Sequence, residues 1–323
     1  MRVTNFILLT SLFFIQNNYG QYTDVINSNR PGNSMSAFSV GKTVIQLESG
    51  VSYIKERHNV LDYNATGFGI DFTGRYGFYK EQLEAIVNFN YQKDTYQTPF
   101  LDTKRSGLKT TTVGFKYLAF DPMKNYETKI DMYSWKKNHK YNWHQLIPAV
   151  AVYAGFNYNS SSNPFWRTTE KMATLAPKAM VITQNILPGA WVFVTNIFVD
   201  QVSSVNQSMG YVVTLTKGFN DQWSGFLENK GIKSDYYSDG IFTVGAAYLF
   251  NSDIQIDASI SRNYKDTPRL LYGGIGFSWR YDTNYEEVML RAPKKDKKKD
   301  KSTKGKDKEK TKKRLDEVQV EKP

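Results

Sequence analysis

Four stretches of this chain alternate apolar with polar residues at a period of two. Phe68, Ile70, Phe72 and Tyr76 alternate with Asp71, Thr73 and Arg75, and Leu83, Ala85, Val87, Phe89 and Tyr91 with Glu84, Asn88, Asn90 and Gln92. Ile254, Ile256, Ala258 and Ile260 alternate with Asp253, Gln255, Asp257 and Ser259, and Leu271, Ile275, Phe277, Trp279 and Tyr281 with Tyr272, Ser278 and Arg280. That period puts each set on its own face of a β-strand. The chain is thereby constrained to sheets with one apolar and one polar side. A soluble sandwich and a membrane barrel share the pattern but place the apolar face in opposite solvents.

The start of the chain chooses between them. Residues 1–20 carry one positive charge at Arg2, an apolar run over 6–15, and a polar stretch ending in small Gly20 before Gln21. This is the build of a secretory signal peptide. Cleavage near Gly20 is expected, with the mature chain leaving the cytosol. About ten apolar residues are too few to cross roughly 30 Å of hydrocarbon as a helix, so a membrane anchor is the weaker reading.

Beyond that segment no apolar run reaches the ~18 residues that a membrane helix needs. The longest candidate, 186–199, is interrupted by Pro188, Gly189, Thr195 and Asn196. Cysteine is absent, which excludes disulfides, thiolate metal sites and an amino-terminal lipid on cysteine. A mean hydropathy of -0.52 argues against a helical membrane protein but suits a barrel, whose lumen face, turns and loops are polar.

Aromatic residues make up 15% of the chain, and many fall near the ends of the alternating segments. Tyr53, Tyr76, Phe78, Tyr79, Phe115, Tyr117, Trp191, Trp223, Phe250, Trp279 and Tyr281 are so placed. Membrane barrels carry aromatic girdles there, whereas a secreted sandwich would use such residues in its core.

The expected fold is all-β, a transmembrane antiparallel barrel of about 12 strands (range 10–14), with a disordered C-terminal tail. Strands are predicted at 43–55, 65–76, 82–92, 108–120, 145–157, 175–184, 190–200, 209–217, 223–230, 241–250, 253–261 and 270–281. The domain layout is then a signal peptide at 1–20, a periplasmic lead-in segment at 21–42, the barrel at 43–282 and a basic periplasmic tail at 283–323. Turns at 77–81, 187–189, 218–222 and 251–252 are short, whereas connections at 58–64, 93–105, 158–174 and 234–239 are longer. Short turns on one rim and long loops on the other mark outer-membrane barrels. Residues 121–142 break the rule as a long insertion on the short-turn, periplasmic side.

Particular residues also carry a resemblance. Ser28-Asn29-Arg30-Pro31, followed by Val40-Gly41-Lys42-Thr43-Val44-Ile45-Gln46-Leu47-Glu48-Ser49-Gly50, resembles the beginning of the outer-membrane transporter family named for the meta pathway of phenol degradation. Gly114-Phe115-Lys116-Tyr117, Phe226-Leu227-Glu228, the run from Ile254 to Ser259 and the run from Gly273 to Ser278 are similar to its later blocks. The resemblance spans roughly 29–281 and implies an outer-membrane location and a transport role, with no catalytic residues to carry over. The 121–142 insertion and the basic tail depart from it.

That tail holds 15 Lys and Arg against 7 Asp and Glu over residues 291–323, a net of +8 out of +11 for the whole chain. So charged a stretch cannot bury a core and is expected to be disordered. Lys294, Lys295, Lys297, Lys298, Lys299, Lys312, Lys313 and Arg314 are its candidate contacts with a protein partner or an anionic periplasmic surface. Nucleic acid fits the charge but not an exported protein.

Chemistry is otherwise sparse. Of the three histidines, His58, His139 and His144, the last two are five apart in a basic, aromatic stretch with no nearby carboxylates. No catalytic, cofactor or metal residues are expected, and the chain is not read as an enzyme. The candidates are the polar residues predicted to face a lumen: Glu48, Asp71, Arg75, Glu84, Lys116, Glu228, Asp257 and Arg280, with Arg262 at the rim. Their mixed signs suit either a salt-bridged filling that closes the barrel or a polar passage whose selectivity they tune. Two functions follow: an outer-membrane channel or transporter for a small solute, or an accessory subunit of an outer-membrane assembly or secretion complex that grips partners through the tail and the 121–142 insertion. Outer-membrane lipid is a partner in both.

Overall fold

A computed structural model describes residues 26–124, 143–160, 163–165 and 173–282. The predicted signal peptide, most of the 121–142 insertion and the basic tail lie outside the described residues.

Twelve strands follow in order: β1 (Val44–His58), β2 (Tyr63–Gly77), β3 (Leu83–Gln97), β4 (Asp102–Phe120), β5 (Ala149–Tyr158), β6 (Leu175–Leu187), β7 (Trp191–Asp200), β8 (Ser208–Gly218), β9 (Trp223–Ser234), β10 (Ser238–Asn251), β11 (Ile254–Asn263) and β12 (Arg269–Asp282). Each pairs antiparallel with its sequence neighbours, and β12 returns to β1 along a ladder from Val44↔Asp282 to Arg57↔Arg269. The barrel is closed, which satisfies the backbone of the first and last strands by each other.

The period-two pattern sorts cleanly between inside and outside. On β1, Ile45, Val51 and Tyr53 are exposed on the exterior while Val44, Gln46, Glu48 and Ile54 are buried. Phe68, Ile70, Phe72 and Tyr76 of β2 and Ile256, Ile260, Ile275, Phe277 and Trp279 of β11 and β12 continue the apolar exterior. Interior positions hold Arg75, Glu84, Lys116, Glu228, Asp257 and Ser278, each at most 3% exposed. A polar inside and an apolar outside invert the soluble arrangement, and hydrocarbon is the solvent that suits them.

Both ends of the barrel chain lie on one rim, the terminal rim, where β1 starts and β12 stops. Aromatic side chains crowd there: Tyr76 stacks on Phe78 at 6.4 Å, Phe78 meets Phe115 at 5.8 Å, Trp223 meets Tyr248 at 4.9 Å and Trp279 meets Tyr281 at 5.7 Å. Toward the far rim, Tyr53 packs edge-on against Phe68 at 5.6 Å. Past that level the exterior of β1 turns charged at Lys55 and Arg57.

Three local readings are corrected. Residues 93–105, expected as a long loop, extend the β3–β4 hairpin to Gln97↔Asp102, and 234–239 closes as a tight turn between β9 and β10. Alternation fades at 93–105 because the exterior there carries Lys93, Ser106 and Lys104, while the ladder persists through the cross-strand pair Asp94↔Arg105. The strand expected from 145 begins only at Ala149, after a 3-10 turn over Trp143–Leu146. Pro148 lacks the N–H that a ladder would use, so pairing starts just beyond it.

Candidate functional site

The described part of the lead-in segment, residues 26–41, expected outside the barrel in the periplasm, instead runs inside it against the interior faces of the strands. Residues 26–41 enter at the terminal rim, where the Ile26 amide donates to the Ser252 carbonyl at 2.8 Å. They bend around 30–32 and return to the same rim, where the Thr43 amide donates to the Gly77 carbonyl at 2.8 Å. The turn residues over 29–32 make the bend, and the alternation of interior polar groups supplies its partners.

The returning limb is anchored by packing and by charge. Ala37 and Phe38 sit in an apolar patch of the lumen wall formed by Ile86, Leu118, Ala149, Ala151, Tyr153 and Ile182, with Met35 and Met180 alongside. Burying a phenylalanine side chain contributes about 1.5–3 kcal/mol. Beside the patch lie four fully buried charges. Arg75 meets Glu48 at 3.2 Å and Glu84 at 3.1 Å, and Lys116 meets Glu84 at 2.7 Å. The two cations also donate to the segment's backbone: Lys116 to the returning limb's carbonyls of Ser36 at 2.7 Å and Phe38 at 2.9 Å, and Arg75 across to the Asn27 carbonyl of the entering limb at 2.7 Å. Glu84 in turn accepts from the Val40 amide at 2.8 Å. Two positive and two negative charges thus balance in a dry site, each held by further hydrogen bonds, which is the condition for burying them.

The entering limb is held by polar ties. The hydroxyls of Ser28 and Ser278 are 2.7 Å apart, and the Asn29 amide donates to Glu48 at 3.3 Å. Arg30 pairs with Asp71 of β2 and forks onto both oxygens of Asp257 of β11, at 3.4 and 3.3 Å. Past the bend, Glu228 of β9 accepts from the amides of Asn33 and Ser34 at 2.8 and 3.2 Å, and from Thr214 at 3.0 Å. Gln184 of β6 accepts from Ser36 and from the Ala37 amide at 2.8 and 2.9 Å.

The barrel is built to admit Arg30. Gly50 of β1 and Gly276 of β12 are direct register partners, and a Cβ on either would overlap the Arg30 guanidinium. Asp71 is the partner of Gly50 on one side and Asp257 that of Gly276 on the other. One lateral row across β2, β1, β12 and β11 therefore reads Asp, Gly, Gly, Asp.

Between the inserted segment and the opposite wall a cavity of about 220 Å³ remains. Val192, Val194, Thr214, Thr216, Phe226 and Ala247 line it, and the entering limb from Ile26 to Gly32 forms its other side. Hydroxyls and apolar side chains make up this wall, and Arg30 lends the cavity a charge.

Eight of the nine lumen candidates lie on the interior face, and Glu48, Asp71, Arg75, Glu84, Lys116, Glu228 and Asp257 bind the inserted segment or its supporting charges. Arg280 is buried on the interior face near the terminal rim. Arg262 is corrected: it shares the parity of Ile256 and Ile260 and is exposed on the exterior, because β11 runs on to Asn263 and keeps its alternation. Sequence reasoning gives no role to Arg30, Gln184 or Gly50 beyond the family resemblance that Arg30 and Gly50 help to carry, and reads Gly276 only as a strand glycine that eases curvature or a close contact. His139 and the tail residues Lys294, Lys295, Lys297, Lys298, Lys299, Lys312, Lys313 and Arg314 lie outside the described residues. Among the described residues no grouping of three or more His, Asp or Glu side chains is placed to hold a metal ion.

A family model described as "Putative MetA-pathway of phenol degradation" matches residues 28–281. The chain belongs to this family. The matched region starts inside the inserted segment and ends in β12, so it takes in the barrel and most of the segment inside it. No curated protein matches the chain. Among solved structures it is similar to the COG4313 outer membrane channel from Pseudomonas putida F1, at 13% identity, with 79% of this chain and 100% of that one covered and a TM-score of 0.47. It is also similar to the translocator domain of the autotransporter NalP from Neisseria meningitidis, at 9% identity, 78% and 90% coverage and a TM-score of 0.46. The CymD monoaromatic hydrocarbon channel is similar at 8% identity, 76% and 90% coverage and a TM-score of 0.41.

Proposed function

We propose that the protein is an outer-membrane channel for a small solute, in which the entering limb of the N-terminal segment sets the passage. The carrying observation is the unequal attachment of the two limbs. The returning limb is part of a packed, charge-balanced core, whereas residues 27–32 are held by hydrogen bonds, among them one from Arg75 to the Asn27 carbonyl, and by one ion-paired arginine, with the cavity on their flank. The hydrogen bonds among these ties exchange for water at small net cost, whereas a buried apolar patch does not; the Arg30 ion pair is the costly one to break, since it leaves Asp257 without its cation. Displacement of the entering limb would join the cavity to the space left behind, while the returning limb stays in place.

On this reading the apolar exterior contacts outer-membrane lipid and the terminal rim faces the periplasm. The basic tail, which follows β12 in sequence, serves on the same reading as an electrostatic tether to an anionic surface or a protein partner. The test is reconstitution of the full-length protein in vesicles and planar bilayers. Folded barrels should pass small solutes with a steep size limit; folded barrels that pass neither ions nor solutes would sink the channel reading.

A further inference from the structure

Arg30 occupies a seat that is more specific than a tether requires. Two carboxylates converge on it from strands on either side of the β1–β12 seam. Asp257, whose side chain is 0% exposed, offers both oxygens to one edge of the guanidinium, and Asp71, 29% exposed, takes the remaining nitrogen. The floor between them is the Gly50 and Gly276 pair, whose missing Cβ atoms leave a shallow slot for a planar group. Paired, forked hydrogen bonds of this sort match a guanidinium in shape as well as charge. The seat also borders the cavity, which Arg30 and Gln255 both line, with Gln255 donating to the Arg30 carbonyl at 3.2 Å. A molecule in the cavity therefore has access to the seat whenever the arginine swings out. Withdrawal of Arg30 leaves two carboxylates facing one another with no cation between them.

We propose that the Asp71 and Asp257 seat is a binding site for small guanidinium compounds, and that Arg30 is its built-in occupant. An external guanidinium competes with Arg30 and so frees the entering limb. The inference relies on the channel reading only for the consequence of binding, not for binding itself.

The test uses full-length protein purified in detergent, with barrel folding checked by faster gel mobility unheated than heated. Guanidinium chloride at millimolar concentrations is titrated calorimetrically against sodium chloride of equal ionic strength. Arg30→Ala should bind guanidinium saturably, about tenfold tighter than the wild type, in which the seat is taken. Arg30→Gln serves the same purpose if the alanine variant does not fold. Binding should disappear when Asp257→Asn or Gly276→Ala is added, the second because a Cβ fills the slot while both carboxylates remain. Absence of saturable binding in the folded Arg30 variant, or binding that survives Gly276→Ala, overturns the proposal. Conductance recorded on the same proteins separates the two readings: binding without any conductance keeps the seat and removes the channel, while conductance without binding does the reverse.

Discussion

The hydroxyl oxygens of Ser28 and Ser278 stand 2.7 Å apart although 250 residues separate them in sequence. One belongs to the entering limb and the other to the closing strand, so the pair reports directly whether the limb is seated. The chain has no cysteine, and a Ser28→Cys, Ser278→Cys double variant would carry the only two. Side chains that already meet at hydrogen-bond distance bring two sulfurs within reach of a disulfide, whose S–S bond is about 2.05 Å. Oxidised protein should conduct less than the wild type in planar bilayers, with the loss reversed by a reductant. Identical current before and after reduction would show that the limb does not set the passage.

The balanced charge cluster makes a stability prediction. Glu84→Gln removes the carboxylate shared by Arg75 and Lys116 and should cost about 3–5 kcal/mol, because it leaves a buried cation under-compensated. Arg57→Gln, on an exposed position of the same barrel, should cost close to nothing. Denaturant unfolding midpoints in lipid vesicles compare the two, and equal shifts would contradict the burial of the cluster.

Facing is tested on β11 and β12, where Ile256 and Phe277 are register partners on the exterior. Ile256→Arg or Phe277→Arg should impair insertion, by at most the roughly 2–4 kcal/mol that a cation costs at the membrane midplane. Ser259→Asn, on the interior face of β11, should insert normally. The yield of heat-modifiable barrel in outer-membrane fractions is the measurement.

Ion selectivity distinguishes interior from exterior charge. Asp71→Asn should move the reversal potential of the conducting protein toward anions, since it removes a carboxylate from the lumen. Arg262→Glu should leave it unchanged, because that side chain projects from the outer surface. A shift of equal size from Arg262→Glu would place that residue in the ion path.

Legibility in the sequence followed the solvent contrast. Residues such as Phe68 through Tyr76 and Leu83 through Tyr91 alternate because lipid and lumen impose opposite polarity on adjacent positions, and the closed barrel of twelve strands follows from them. Where that contrast stops, so does the signal: the far ends of β3 and β4 are water-facing on the outside, and their strand character passed for loop. Arg262 was misplaced for a related reason, since β11 continues past the apparent strand end. The inserted segment was illegible because it has no period of its own. Residues 26–41 take their form from partners such as Glu228 and Asp257, roughly 200 positions away, and no local pattern encodes that distance. The turn at 29–32 and the glycines at 50 and 276 were visible, yet only the register of β1 on β12 shows that the two glycines face one another and make room for an arginine.

That facing pair bears on how the barrel shuts. Asp71 lies on the second strand and Asp257 on the eleventh, so Arg30 can reach both only after the first and last strands have met. A seam zipped two residues out of step, with Gly50 set against Ser278, would keep every apolar side chain in lipid and thus escape the usual penalty for misregistry. It would nevertheless put a hydroxymethyl group where the guanidinium belongs, and would pull the two aspartates apart. The seat of the inserted arginine is thus complete only in the one alignment in which glycine meets glycine.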